Sequence, residues 1–303
     1  MNYLKLVRFQ NLIMIALIQL FIRYGLLVPL GVDITLSDFD FLLLVLATIF
    51  IAAAGNIIND IYDVVIDAIN KPSEVIIDRK ITEKNAYNLY ITLTIIGVAI
   101  GFYLSTQIDR PMFSGLFIII SALLYLYASQ LKSILLVGNI IISTLVALSL
   151  IIIGLFDLLP AINFLNQEEQ FIAFRIILDY ALFAFFINLI REIIKDIQDI
   201  DGDKNGGMNS LPIVLGRKRA SYIAFSLGII ALFGIVYYIY MHLYHIQIMV
   251  IYFLICIVAP LLYFCVKVWD AKTESDYAFL SKLLKIIMFL GMCSILLYSI
   301  TIQ

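Results

Sequence analysis

Two short runs of the sequence hold carboxylates at spacings suited to gripping a divalent cation. In the first, Asn59-Asp60-Ile61-Tyr62-Asp63-Val64-Val65-Ile66-Asp67, the residues Asn59, Asp63 and Asp67 recur at every fourth position. Residues four apart share one helix face, with Cβ atoms about 5–6 Å from each other, so the series sets three hard oxygen donors in a stripe. The second run extends from Arg191 to Asp203; Asp199 and Asp203 repeat the spacing, and Asp196 lies three residues before Asp199. Mg²⁺ favours octahedral oxygen ligation and commonly takes one or two carboxylates together with the phosphates of a substrate. The negative end of a helix dipole adds to the attraction. The expected metal ligands are Asp63 and Asp67 for one ion and Asp199 and Asp203 for another.

The elements that must position these residues are membrane helices. Of 303 residues, 63% are apolar and 14% charged, a balance foreign to soluble domains. Apolar stretches of roughly 20 residues, enough to cross a bilayer, are expected at about 11–31, 41–62, 86–106, 111–130, 134–156, 172–195, 221–241, 246–268 and 280–302. The predicted fold is all-α: one membrane domain over 1–303, a bundle of about nine transmembrane helices. Asp63 and Asp199 stand 136 positions apart, an offset that four helices per unit would explain. The bundle is therefore read as two four-helix pseudo-repeats plus one helix, with the two acidic helix ends meeting at a shared cavity. Charge near hydrocarbon is costly, so two dense carboxylate sets beside apolar spans mark a site.

Orientation follows from the cations. With the N-terminus inside, all of the 20 Lys and Arg except Arg23, Arg110 and Arg175 fall on the inner side, which the positive-inside rule assigns to the cytoplasm. The run after Met1 holds Lys5 and Arg8 and no small-residue cleavage site, so the first span is expected to stay uncleaved. Cys256, Cys265 and Cys293 lie inside spans without metal-ligand spacing and are read as small buried hydrophobes. His242 and His245 fall in a short outer turn, away from the carboxylates. No Gly-rich phosphate loop, Ser/His/Asp set or nucleic-acid-binding basic stripe is present in the sequence. A transporter remains the rival class, although transport sites usually sit near the bilayer midplane on broken helices, whereas these carboxylates gather at one face.

The paired motifs make the chain similar to the UbiA superfamily of intramembrane prenyltransferases, a resemblance covering nearly all of it. In that family an Asn-x3-Asp-x3-Asp motif and an Asp-x3-Asp motif hold Mg²⁺ on the diphosphate of a prenyl donor; here they match Asn59, Asp63 and Asp67, then Asp199 and Asp203. Asn70-Lys71-Pro72, Arg191-Glu192, Lys195-Asp196 and Ser210-Leu211-Pro212 resemble the branch that prenylates geranylgeranylglyceryl phosphate. Enzymes of the homogentisate and chlorophyll type share much of the pattern. Tyr127-x4-Lys132 followed by Gly138-Asn139 is similar to the loop where a basic residue meets the diphosphate, and Arg8-x2-Asn11 to the first-helix entry, where the Asn faces the acceptor. One stretch departs: Ser73-Glu74-Val75 and Asp78-Arg79-Lys80 replace the family's Arg-Pro and Ser-Gly, so Arg79 or Lys80 is expected to stand in for a donor-binding arginine.

The resemblance implies transfer of a polyprenyl group from its diphosphate to a hydrophobic or lipid acceptor, with a quinone precursor or tetrapyrrole as the alternative, by an integral multi-pass enzyme of the cell membrane whose site faces the cytoplasm. Lys132, Arg191, Lys195 and Arg79 are expected on phosphate oxygens, Asn59 on metal or phosphate, Asn11 on the acceptor, and Asp196 on the acceptor's proton. Tyr62, Tyr125 and Tyr127 are candidates to face an allylic cation.

Overall fold

Apolar runs in a bilayer must satisfy every backbone group within the segment, which leaves the helix as the local solution. The computed structural model describes residues 2–73 and 75–301. Among the described residues nine helices are long and apolar enough to cross a membrane: α1 (Phe9–Leu30), α2 (Asp38–Tyr62), α3 (Glu83–Gln107), α4 (Pro111–Ser129), α5 (Val137–Ala161), α6 (Gln167–Gln198), α7 (Arg217–Leu243), α8 (Gln247–Asp270) and α9 (Glu274–Ile300). They match the expected spans in number and order. Several reach beyond the expected ends, α6 and α9 among them. Helix α6 runs past its apolar part at both ends, through Glu168 and Glu169 and through Lys195 and Asp196. Helix α9 starts at Glu274 because Thr273 and Asp276 cap it reciprocally: Oγ1 of Thr273 accepts from the Asp276 backbone N–H at 3.2 Å, and Oδ2 of Asp276 accepts from the Thr273 N–H at 2.8 Å.

Helices α1–α4 and α5–α8 form two four-helix units, and α9 packs against α6. The units share a local signature. Helix α2 stops at Asp63 (φ −92°, ψ 0°) and α6 at Asp199 (φ −93°, ψ 12°), and each continues as a short helix, Val64–Asn70 or Ile200–Asn205. The stripe expected on one unbroken helix is therefore divided at its middle residue. Its spacing survives because the backbone bonds cross the break: Asp67 N–H donates to the Asp63 carbonyl at 2.8 Å and Asp203 N–H to the Asp199 carbonyl at 3.1 Å.

The two short helices touch. Gly202 N–H donates to Oδ1 of Asn70 at 2.8 Å, and a Cβ on Gly202 would lie 2.4 Å from the Asn70 Cγ, so this approach requires glycine. The loop between α4 and α5 is shaped likewise: a Cβ on Gly138 would lie 2.7 Å from the Lys132 Cα, and Asn209 N–H donates to the Ser133 carbonyl at 3.0 Å. Both contacts fall in the loop that carries Lys132.

Arg23, expected among the outer cations, is instead buried within the bundle, with 1% of its surface exposed. Its Nη1 donates to both oxygens of the fully buried Asp157 at 2.9 and 2.8 Å, and its Nη2 to the Leu36 carbonyl at 2.7 Å. Each partner sits in a widened turn of its helix, Phe21–Leu27 in α1 and Gly154–Leu158 in α5. The extra residue in such a turn re-aims side chains, and here it turns both charges toward each other.

Candidate active site

Asp63 and Asp199 end the corresponding helices of the two units, and the contact between the short helices draws them to one place. They open, with Asp67 and Asp203, into a single cavity of about 970 Å³ that reaches among α1, α2, α4, α5, α6 and α9. Its deeper wall is apolar, with Ile120 and Leu124 of α4 and Ile142, Leu145 and Val146 of α5. Its mouth is charged. Lys132 is ion-paired with Asp63 across the fold, and Lys71 Nζ lies 2.6 Å from Oδ2 of Asp199. Lys71 follows the first motif and Asp199 belongs to the second, so this pair joins the two units directly.

The carboxylates share one field. Burial, and then the charges of Asp63 and Asp60, push the Asp67 carboxyl up to about 6. Burial, followed by Asp199 and by Asp63 of the other unit, pushes Asp203 up to about 7. Carboxyls held this high among their own kind await cations. Asn59 adds a second sign: its Nδ2 donates to Oδ2 of Asp63 at 2.7 Å, while its Oδ1 is buried without a partner among the described residues. Among the described residues no three His, Cys, Asp or Glu side chains converge closely enough to hold an ion alone. Two facing carboxylate pairs and an unsatisfied amide oxygen still suit an ion that takes its remaining ligands from phosphate and water, as Mg²⁺ does. The donor set fits.

Residues 12–292 match the UbiA prenyltransferase family. The chain belongs to that family. It is 36% identical over 193 residues to the digeranylgeranylglyceryl phosphate synthase of Methanobrevibacter smithii, a match spanning 64% of each chain. A solved structure of digeranylgeranylglyceryl phosphate synthase in membranes aligns over 99% of this chain and 98% of its own, with a TM-score of 0.64 and 27% identity. A UbiA homologue from Archaeoglobus fulgidus bound to DMAPP and Mg²⁺ shares the fold at a TM-score of 0.56 and 19% identity, covering 97% of this chain and 99% of its own. This UbiA-family chain is an integral, multi-pass membrane prenyltransferase.

Of the residues singled out in the sequence, Asn11, Asn59, Asp63, Asp67, Lys132, Arg191, Lys195, Asp196, Asp199 and Asp203 all line the cavity of this UbiA-family chain. Asp196 accepts from Nδ2 of Asn139 at 2.8 Å. Arg79 does not line the cavity: its guanidinium bonds the Pro72 carbonyl within its own loop, and Lys80 lines the cavity instead. Glu74, also in that loop, lies outside the described residues. Tyr62 and Tyr125 are exposed and pair hydroxyl to hydroxyl at 3.1 Å; of the three tyrosines only Tyr127 lines the cavity. Arg8 also lines the cavity, where its Nη2 binds Oδ1 of Asp60 at 2.8 Å.

Among the polar residues there that had no assigned part are Lys71, Asn139, Glu192 and Lys285. Lys71, Asn139 and Glu192 each adjoin a motif in sequence. Lys285 had no such signal, since it reads as one more cation at the end of the ninth span.

Proposed function

We propose that the chain transfers a polyprenyl group, geranylgeranyl in the reading its relatives favour, from the diphosphate to the hydroxyl of a phosphoglycerol lipid, with Mg²⁺ required. The observation that carries this reading is the meeting of Asp63, Asp67, Asp199 and Asp203 at the mouth of one cavity whose inner wall is apolar. A diphosphate fits the mouth and an isoprenoid chain fits the wall.

When bound, Mg²⁺ supplies Lewis-acid stabilisation of the leaving diphosphate. The four motif carboxylates and the free Oδ1 of Asn59 would hold it. Lys132 and Lys71, which rest on Asp63 and Asp199 in this structure, are placed to turn to phosphate oxygens and steady the charge that develops there. The allylic carbon–oxygen bond breaks, its electron pair leaves with the diphosphate, and the acceptor hydroxyl oxygen bonds the allylic carbon. Asp196, with Oδ2 engaged by Asn139, takes the hydroxyl proton on Oδ1. The apolar wall keeps water from the allylic cation, and the Tyr127 ring lies on the cavity surface where it can face it. The cation-rich side of the bundle, which carries this mouth, faces the cytoplasm across the cell membrane.

The test is direct. Purified protein in detergent is given labelled geranylgeranyl diphosphate, geranylgeranylglyceryl phosphate and Mg²⁺, and the extracted lipid is weighed by mass spectrometry. A product heavier by one geranylgeranyl group, lost on chelation of Mg²⁺, is expected. Absence of any prenylated lipid across phosphoglycerol, quinone-precursor and tetrapyrrole acceptors would contradict the activity, and a product on one of the latter two alone would contradict the acceptor.

A further inference from the structure

The cavity contains a second set of charges, set back from the motif carboxylates. Arg8 precedes α1, Arg191 and Lys195 lie on α6, and Lys285 lies on α9; all four line the cavity. Arg191 precedes Asp199 by roughly two helical turns, about 12 Å along the axis at 1.5 Å per residue. The four belong to one cluster, since Arg8 and Arg191 both act electrostatically on Glu192 and Lys195, and Arg191 acts also on Lys285.

Their counter-charges are too few. Asp60 binds Arg8 at 2.8 Å, and Glu192 is shared between Arg191 at 3.1 Å and Lys195 at 3.1 and 3.2 Å. Among the described residues Lys285 meets only the neutral Oδ1 of Asn11, at 2.8 Å. Nε of Arg191 is buried without a partner among the described residues. Four cations thus share two carboxylates in direct ion pairs, Asp196 beside Lys195 being bonded to Asn139 instead, and the net positive charge left among them stands inside a helix bundle, where uncompensated charge is costly. The donor does not account for it, because Lys71 and Lys132 already lie on the motif carboxylates.

We propose that Arg8, Arg191, Lys195 and Lys285 form a phosphomonoester subsite for the acceptor's headgroup, separate from the site of the donor's diphosphate. The match is one of charge and geometry. A phosphomonoester carries about −1.5 to −2 at neutral pH, opposite in sign to the net charge of the cluster, and the fork of Arg191 can hold two of its oxygens. Glu192 keeps the cations together until the anion arrives. Asp196 follows Lys195 directly in α6, so a phosphate held here brings the glycerol hydroxyl of the same molecule toward the proposed base. This reassigns Arg191 and Lys195, which the sequence places on the donor's diphosphate. The inference rests on the reading of the acceptor as a phosphorylated lipid.

The experiment separates binding from turnover. Wild-type protein, Lys285→Gln and Lys285→Arg in detergent are titrated, without donor, with a short-chain prenylglyceryl phosphate and with the matching alcohol that lacks the phosphate, the melting temperature serving as readout. The phosphorylated compound should raise the wild-type melting temperature and the alcohol should not. Lys285→Gln should weaken apparent affinity for the phosphate by about tenfold or more, the usual loss for one charged hydrogen bond, and Lys285→Arg should restore most of it. In turnover, Lys285→Gln should raise the acceptor KM by about the same factor and leave the donor KM unchanged. Equal affinity of wild type and Lys285→Gln for the phosphate, or a rise in donor KM with acceptor KM unchanged, overturns the subsite. Should Lys285→Gln not fold, Arg191→Gln carries the same comparison. Charge-dependent binding of the phosphate without its prenylation would sink the acceptor reading and uphold the subsite.

Discussion

The Asp203 carboxyl is buried among Asp199 and Asp63 and held up to about 7, and Asp67 is held up to about 6, which fixes the sign of a pH effect. A carboxyl whose folded value is raised above its unfolded one stabilises the fold at low pH, and that contribution is lost as pH climbs through the folded value. The metal-free protein should therefore melt at progressively lower temperature as pH rises from 5 to 8. Mg²⁺ needs the ionised carboxylates, so its stabilising effect should be larger at pH 8 than at pH 5. Melting curves in detergent with and without Mg²⁺ check both slopes, and a metal-free protein more stable at pH 8 would contradict the assignment. At this scale the sequence was informative where residues repeat at a fixed spacing. It misled at Arg79, whose guanidinium bonds its own loop's Pro72 carbonyl, because spacing says nothing about which way a loop side chain turns.

Helix ends decide how the carboxylates meet. Gly202→Ala inserts a Cβ against Asn70 and presses the two short helices apart. Overpacking of this kind typically costs about 1–3 kcal/mol, here spent at the contact that aligns the motifs, so donor affinity should fall about tenfold while the melting temperature moves little. Binding of labelled donor diphosphate measures it. The far end of the bundle gives the opposite result. Arg23→Met leaves Asp157 charged and buried, an error worth about 3–5 kcal/mol, whereas Arg23→Met with Asp157→Leu removes both charges and should recover most of that loss. Both proteins should retain prenyl transfer at low temperature, since neither residue lines the cavity. Thermal inactivation of the single and double variants makes the comparison. The spans were legible from hydropathy, but the breaks at Asp63 and Asp199 were not, because residues four apart keep their backbone bond across the break. The Arg23–Asp157 pair was hidden for another reason: a lone charge near a span end reads as interfacial until its partner in a distant helix is known.

The whole molecule is two like halves that complete one site between them, and α9 adds Lys285 to it. The nine spans among the described residues put the ends of α2 and α6 on one side of the membrane, with the loops between α1 and α2 and between α3 and α4 on the other. Met112, in the first turn of α4 beside the latter loop, is 91% exposed, and Lys204 beside the second motif is also exposed. In intact cells Met112→Cys should react with an impermeant maleimide from outside, and Lys204→Cys only after permeabilisation; the reverse pattern would turn the proposed site outward. The central claim is narrower than topology: carboxylates from both halves jointly hold one diphosphate through Mg²⁺. Mg²⁺-dependent binding of labelled prenyl diphosphate to Asp63→Ala and to Asp199→Ala, each verified as folded by its melting curve, addresses it most directly. Each single substitution should reduce binding to the level seen with chelator, although the two residues lie in different halves of the chain. Full Mg²⁺-dependent binding in either variant would contradict a shared grip.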